Sequence, residues 1–535
     1  MQRRSAPPRS SCKARSRRDT DRCCSSPAWS LPDVRTTAGI VRGLVRATPD
    51  GEARAFLGVP YAVANRRFLA AGPVEPWSGV LDAQRTGPVA PQRADDGSLV
   101  GDEAGCLTVN IWSSAPAGSD RPVMVWIHGG LHVAGSNSSP LTDGARLAAN
   151  TGTVVVAVGH RLGALGFLTL DHLLGDAYGD SANIALHDIV AALQWVRREI
   201  RSFGGDPERV TLAGQSAGAT TVAMLLAARP AAGLFQRAVL HSASPERVGD
   251  RRHGEGVTAD LLELLGMSTD PGLLLDVSWA QIVEAQSALL ARRSVGAAST
   301  VAVVRASIDG RMLECAPVDA MRAGASGSVD LIVGTNINEA SGAVDLRAAD
   351  SAELHTLLDR QLTTLLPVWD ESIRGPRAVA YRDALRHDLG HAPSDAEALE
   401  AAVADDIYRQ PTRRLLEARS NAAGSTRSFL FCWRAAEDDA RGAAHSLELP
   451  FLFRHLDDSP EAIAEVGDAP PPLLSDRMAT RWGSFVASGD TGLGWPTWEP
   501  RTRSTLVLAQ DESLVDNPRG HVAALVSAAT RQAWS

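Results

Sequence analysis

Ser216 stands inside Gly214-Gln-Ser-Ala-Gly218, and a serine hydroxyl set between two glycines is a candidate nucleophile. The five-residue pattern arises by chance in many chains of this length, so its flanks carry the argument. Val210-Thr-Leu-Ala213 is a short β-prone run, and Ala217 to Arg229 is rich in helix formers. A strand that turns sharply into a helix pushes the residue at the turn out of the backbone, where its hydroxyl can attack. Glycines on either side remove the Cβ atoms that would obstruct so strained a turn.

Such a hydroxyl needs a base to take its proton, and the base needs an acid to fix its tautomer. Where a strand, serine and helix follow one another in this way, the chain order is serine, carboxylate, histidine. Two downstream loops fit that order. Val333-Gly-Thr-Asn-Ile-Asn-Glu339 places Glu339 just past an apolar run, and Arg441-Gly-Ala-Ala-His-Ser-Leu-Glu-Leu-Pro-Phe451 places His445 among small residues. Asp345, six residues beyond Glu339, is the substitute acid. Together these residues would perform acyl transfer through a covalent serine ester.

Positioning them requires a sheet with its loops at one end. Gly39–Arg46 and Ala53–Gly58 read as paired antiparallel strands. Pro122–His128 and Thr153–Val158 are continuous apolar runs, the signature of strands covered on both faces. From Asp188 to Phe203 the apolar residues Ile189, Leu193, Val196, Ile200 and Phe203 mark one helical face, with Asp188 near the helix start. Arg237–Ser242, Val329–Gly334 and Ser428–Trp433 read as further strands, and 351–420 as a helical cap or flanking region. Strands alternating with helices predict an α/β fold, a doubly wound and mostly parallel sheet flanked by helices. One domain is expected over 34–525, preceded by a basic tail at 1–33.

Bulk properties narrow the function. A net charge of −9 argues against a nucleic-acid partner. No run approaches the ~20 apolar residues of a membrane-spanning helix. The first thirty residues carry a net +6 with few apolar side chains, so they are expected to be disordered. No apolar stretch follows their arginines, as a secretory signal would require. Cys12, Cys23, Cys24, Cys106, Cys315 and Cys432 show no framework spacing, and the last three are expected to be core thiols. A cytoplasmic location and a monomer are the expectations.

At this point the sequence resembles a known family, the type-B carboxylesterases, which include bacterial para-nitrobenzyl esterases and cholinesterases. The resemblance runs from about residue 34 to 510. It rests on Phe56-Leu-Gly-Val-Pro-Tyr-Ala62, Cys106-Leu-Thr-Val-Asn-Ile-Trp112, Val123-Met-Val-Trp-Ile-His-Gly-Gly130 and His160-Arg-Leu-Gly-Ala-Leu-Gly-Phe167. Phe203-Gly-Gly-Asp-Pro207, the Ser216 motif, Gly334-Thr-Asn-Ile-Asn-Glu339 and His445-Ser-Leu-Glu-Leu-Pro-Phe451 complete it. The resemblance implies an α/β-hydrolase fold and a serine hydrolase of small-molecule carboxylic esters that needs no metal or organic cofactor. It also implies Ser216 as nucleophile, His445 as general base and acid, and Glu339 as the orienting carboxylate. The oxyanion hole would be the backbone N–H groups of Gly130, Leu131 and Ala217. Carbamate or amide hydrolysis on the same triad is the neighbouring reading, and a non-catalytic binding protein on the same fold is the reading from another class.

Several positions depart from the family pattern. Leu131 replaces a glycine or alanine, which predicts crowding of the acyl group or a strained backbone. Gln215 stands where glutamate is usual, which disfavours a cationic, choline-like substrate. Ala90 replaces a cysteine that would pair with Cys106, so that disulfide cannot form. His132 replaces an aromatic and is expected to be a partly exposed pocket side chain; His160 stands where tyrosine is common. His241 is expected to be a satisfied structural histidine, and His387-Asp-Leu-Gly-His391 a surface helix and not a zinc motif.

Overall fold

The computed structural model describes residues 31–293, 303–435, 440–467, 469–492 and 494–531. The expected basic tail lies almost wholly outside them, as do Cys12, Cys23 and Cys24. Eleven strands form the principal sheet. In chain order they are β1 Leu44–Thr48, β2 Gly51–Pro60, β3 Thr108–Ser113, β4 Arg121–Ile127, β5 Val154–Val158, β6 Gly205–Gln215, β7 Arg237–His241, β8 Asp330–Asn336, β9 Thr426–Phe431, β10 Ser504–Leu508 and β11 Glu512–Asp516. Across the sheet they run β11-β10-β9-β8-β7-β6-β4-β5-β3-β2-β1. The seven from β4 to β10 are mutually parallel, and antiparallel strands close both edges.

Alternation along the central strands explains why they read as unbroken apolar runs. Val123, Val125 and Ile127 pack into the core on one face, while Met124 and Trp126 enter the core on the other. Val154, Val156 and Val158 divide from Val155 and Ala157 in the same way. A strand buried on both sides has no polar face to show. The expected hairpin at the start is divided: Ile40–Arg42 belongs to a small three-stranded sheet, and only Leu44–Thr48 pairs with β2.

The helix placed near Asp188 starts four residues earlier, running Ile184–Glu199 with a 3-10 turn through Phe203. Asp188 therefore lies inside it, buried, where its carboxylate accepts from Arg161 Nε at 2.8 Å and Nη2 at 2.5 Å. The helical region is present as Ala352–Leu365, Arg377–Leu389, Asp395–Ala404 and Gln410–Ala418. A π-helical turn, Asp405–Arg409, interrupts the last two. Leu358, Leu362, Leu385, Leu399 and Ile407 give this region an apolar cluster distinct from the sheet's two. A short helix, Pro460–Val466, is capped by the Ser459 side chain. Cys106 is buried but Cys315 is exposed, which corrects the expectation of three core thiols. Among the described residues, no helix is long and apolar enough to cross a membrane.

Candidate active site

Four loops converge at the C-terminal ends of neighbouring parallel strands, the edge where open α/β sheets present their functional groups. β6 delivers Ser216, β4 the loop from His128 to Gly135, β8 the loop with Glu339, and β9 the segment with His445. The strain at the elbow falls on the serine itself, whose φ is 57° and ψ −124°. The two glycines serve close packing instead. A Cβ on Gly218 would sit 2.1 Å from the Ile127 carbonyl oxygen, and one on Gly214 would sit 2.6 Å from the Gly218 carbonyl carbon. The helix Ala217–Ala227 can thus press its first turn against β4, which sets the distance from Ser216 to the loop above it.

Glu339 and His445 are joined directly. His445 Nδ1 lies 2.5 Å from Glu339 Oε2, while Glu339 Oε1 accepts the Asn336 backbone N–H at 2.6 Å. With Nδ1–H given to the carboxylate, Nε2 is the accepting nitrogen, and the Gln215 amide donates to it at 3.0 Å. The same amide also donates to Ser446 Oγ at 2.8 Å. Burial works to lower the His445 pKa, but the charge and hydrogen bond of Glu339, with Glu448 behind, raise it above the ordinary histidine value. Asp345, the substitute acid, points outward at 58% side-chain exposure and takes no part.

Ser216 makes no direct hydrogen bond to His445 among the described residues. The Tyr408 ring lies against the His445 imidazole with centroids 5.0 Å apart. Serine and histidine are linked through Gln215, the residue before Ser216, whose amide reaches His445 Nε2, a loosely coupled arrangement common in unliganded sites.

The β4 loop is held over the elbow by its glycines and histidines. Gly130 has φ 115°, and a Cβ there would lie 2.2 Å from the Ala134 carbonyl oxygen. Leu131 and His132 follow at φ 58° and 62°, a region costly for side chains with a Cβ. The Leu131 side chain stays 40% exposed, so it borders open space and not the core. Gly130 and Leu131 donate their N–H groups to no acceptor among the described residues. Ala217, first in its helix, has no intrahelical acceptor for its own.

His132 is not a partly exposed pocket residue. It is buried, and its Nε2 lies 3.0 Å from both the Ala217 carbonyl oxygen and Thr221 Oγ1, so it pins the loop to the helix after Ser216. Burial holds it and His128 at a pKa of about 4, and pushes His160 well below the usual histidine value. The His128 and His160 rings meet edge to face at 4.6 Å.

His241 is structural but not satisfied at both ring nitrogens, since its buried Nδ1 has no hydrogen-bond partner among the described residues. It is fully buried, accepts from Trp482 Nε1 at 3.0 Å and faces Glu448 Oε1 at 3.3 Å. Burial works to raise the Glu448 pKa, yet the adjacent His241 and a hydrogen bond from Asn336 hold it below the usual value. His387 and His391 do not share a helical face, because the helix stops at Leu389 and Gly390 turns left-handed.

Sequence reading missed Tyr408, Ser446 and Glu448. Glu448 follows His445 by three residues, a spacing that could have flagged it; Tyr408 lies in a helical stretch with no signal pointing at His445.

The model of the carboxylesterase family matches residues 30–521. A para-nitrobenzyl esterase of Bacillus subtilis (strain 168) is 32% identical over 89% of this chain and 95% of its own length. A fumonisin B1 esterase of Sphingopyxis macrogoltabida is 30% identical over 87% and 84%. Among solved structures, a carboxylesterase of Geobacillus stearothermophilus superposes with a TM-score of 0.78 at 28% identity, covering 94% of this chain and 100% of that one. The chain belongs to the carboxylesterase family and is a carboxylic ester hydrolase of the α/β-hydrolase fold.

Proposed function

We propose that the ester is cleaved in two steps on Ser216, with His445 and Glu339 as its proton-handling pair. In acylation Ser216 Oγ attacks the ester carbonyl carbon as His445 Nε2 takes its proton. The tetrahedral intermediate collapses, and the same proton passes to the departing alcohol. Water then repeats the sequence on the acyl-serine and releases the acid. Glu339 stays ionised and holds the imidazole in its Nδ1–H tautomer. The N–H groups of Gly130, Leu131 and Ala217 receive the oxyanion; each such donor is typically worth ~3 kcal/mol in the transition state.

The observation that carries this reading is the 2.5 Å contact of Glu339 with His445 Nδ1, which leaves Nε2 facing the elbow residue beside Ser216. Gln215 at that position adds no charge, which fits a neutral ester better than a cationic one. Ser216→Ala is expected to abolish turnover of a para-nitrophenyl ester while leaving the unfolding temperature unchanged. Turnover at the wild-type rate would overturn the assignment.

A further inference from the structure

The lone pair of the base is engaged by a group other than the serine it must deprotonate. The side chain of Gln215, the last residue of β6, reaches the loop that carries His445. An amide NH2 holds two donors, and both are used here. One meets His445 Nε2 at 3.0 Å and the other Ser446 Oγ at 2.8 Å. Which end of the amide faces the base follows from the tautomer of the base. The Glu339 carboxylate, 2.5 Å from Nδ1, can only accept, so Nδ1 carries the proton and Nε2 presents its lone pair. Only the NH2 end can satisfy that lone pair. The carbonyl end has its own space, because a Cβ on Gly129 would lie 2.7 Å from Gln215 Oε1. Gln215 is buried, so its amide has little water to turn to instead.

We propose that Gln215 is a positioning residue that latches the neutral base, so that Ser216 is activated only when the amide releases His445 Nε2. The inference rests on Ser216, His445 and Glu339 acting as proposed above. One lone pair cannot serve two donors at full strength. For acylation the Gln215 N–H leaves Nε2, and the Ser216 O–H takes its place. The O–H bond then breaks, its proton goes to Nε2, and Oγ forms its bond to the acyl carbon. A protonated imidazole has no lone pair left, so the latch stays open until the proton has passed to the departing alcohol. A hydrogen bond to the neutral form also opposes protonation. Gln215 therefore works against Glu339: the carboxylate strengthens the base, and the amide trims it. Both effects of the latch come from one equilibrium, the closing of the amide on the unprotonated ring. The factor by which it slows acylation above the acid limb is the factor by which it draws that limb down. Below the limb the ring is protonated and unlatched, and Gln215 has no effect.

The test is the rate of labelling by a fluorophosphonate between pH 5 and 9, for the wild type, Gln215→Met and Gln215→Glu. Methionine keeps the length of glutamine and has no donor. Above the limb Gln215→Met should label about 3–10-fold faster, the worth of one net hydrogen bond. Its limb should move up by the logarithm of the same factor, about 0.5–1 pH unit. Below the limb the two profiles should coincide. The kcat/KM for para-nitrophenyl acetate should follow the same course, since it too reports acylation. Slower labelling at every pH would show an amide that only props the imidazole in place, and would overturn the proposal. An unchanged profile would overturn it too. If Gln215→Met does not fold, Gln215→Glu decides: an ionised carboxylate has no donor, so its limb must rise and labelling above it must quicken. A limb at or below the wild-type position sinks the latch. The triad is read separately. Turnover by Ser216→Ala, or wild-type labelling without any acid limb, would bring down the triad reading itself. An inert Ser216→Ala beside Gln215 variants that behave as wild type would remove the latch alone.

Discussion

The two sides of the site are held by different forces. On the sheet side, the Ser216 elbow and the β4 loop are fixed by backbone approach, with glycines where a Cβ would collide and neutral buried histidines filling the gaps. On the helical side, the π turn is fixed by buried charge: Arg409 with Asp405, Arg382 with Asp395, and Glu400 against the Glu339 loop. Glu339 and His445 lie at the seam. The first construction sets distances, and the second sets the electrostatic surroundings of the base.

The largest break is expected at the seam. Glu339→Gln should lower kcat/KM for a para-nitrophenyl ester by about 10³–10⁴-fold with folding intact, because the tautomer and the imidazolium both lose their partner. The same substitution checks the direction of the His445 shift. A base works only when unprotonated, so its raised pKa places the acid limb of the pH–kcat/KM profile above the ordinary histidine value of about 6.5. In Glu339→Gln the limb should move down, which a profile from pH 5 to 9 would read; a limb that stays put would contradict the carboxylate as its cause.

Next comes the helical side. Arg409→Met leaves Asp405 buried without its cation, and such a loss typically costs about 3–5 kcal/mol. Chemical denaturation should show the drop, with the early loss confined to the helical region. If the whole protein unfolds in one unshifted transition, the two constructions are not separate. The smallest effect is expected on the sheet side at Leu131. Replacing a residue at φ 58° by glycine should stabilise the fold by about 0.5–1 kcal/mol or leave it unchanged, since relief of strain opposes the entropy of glycine. An acid-size panel run on Leu131→Gly should widen toward bulkier acyl groups. An unaltered profile would mean that the leucine borders some other part of the cleft.

The sheet side was the legible one. Strand ends, the elbow and the order of Ser216, Glu339 and His445 are local patterns, and each corresponds to an element that the structure contains. The helical side was legible only as helix. Asp405–Arg409 reads as continuous helix because a π turn differs by one hydrogen-bond register and leaves no mark on periodicity. Tyr408 reaches His445 through tertiary packing, which no spacing between residues 408 and 445 encodes. His132 was misread for a related reason. Its neighbours suggested an open pocket, whereas its backbone angle turns the ring inward onto Ala217 and Thr221.

The trio of His128, His132 and His160 carries one more consequence. His128 and His132, held at about 4, and His160, held well below the usual histidine value by burial, stay uncharged at neutral pH, although they crowd the loop proposed to receive the oxyanion. The stabilisation offered there is purely dipolar and constant across the working range. The charge that acidity brings to the site is that of His445, not of these three rings. An inhibitor that binds as a preformed anion mimic should hold more tightly below the acid limb, where His445 is charged, and any such gain is that imidazolium's and not the loop's.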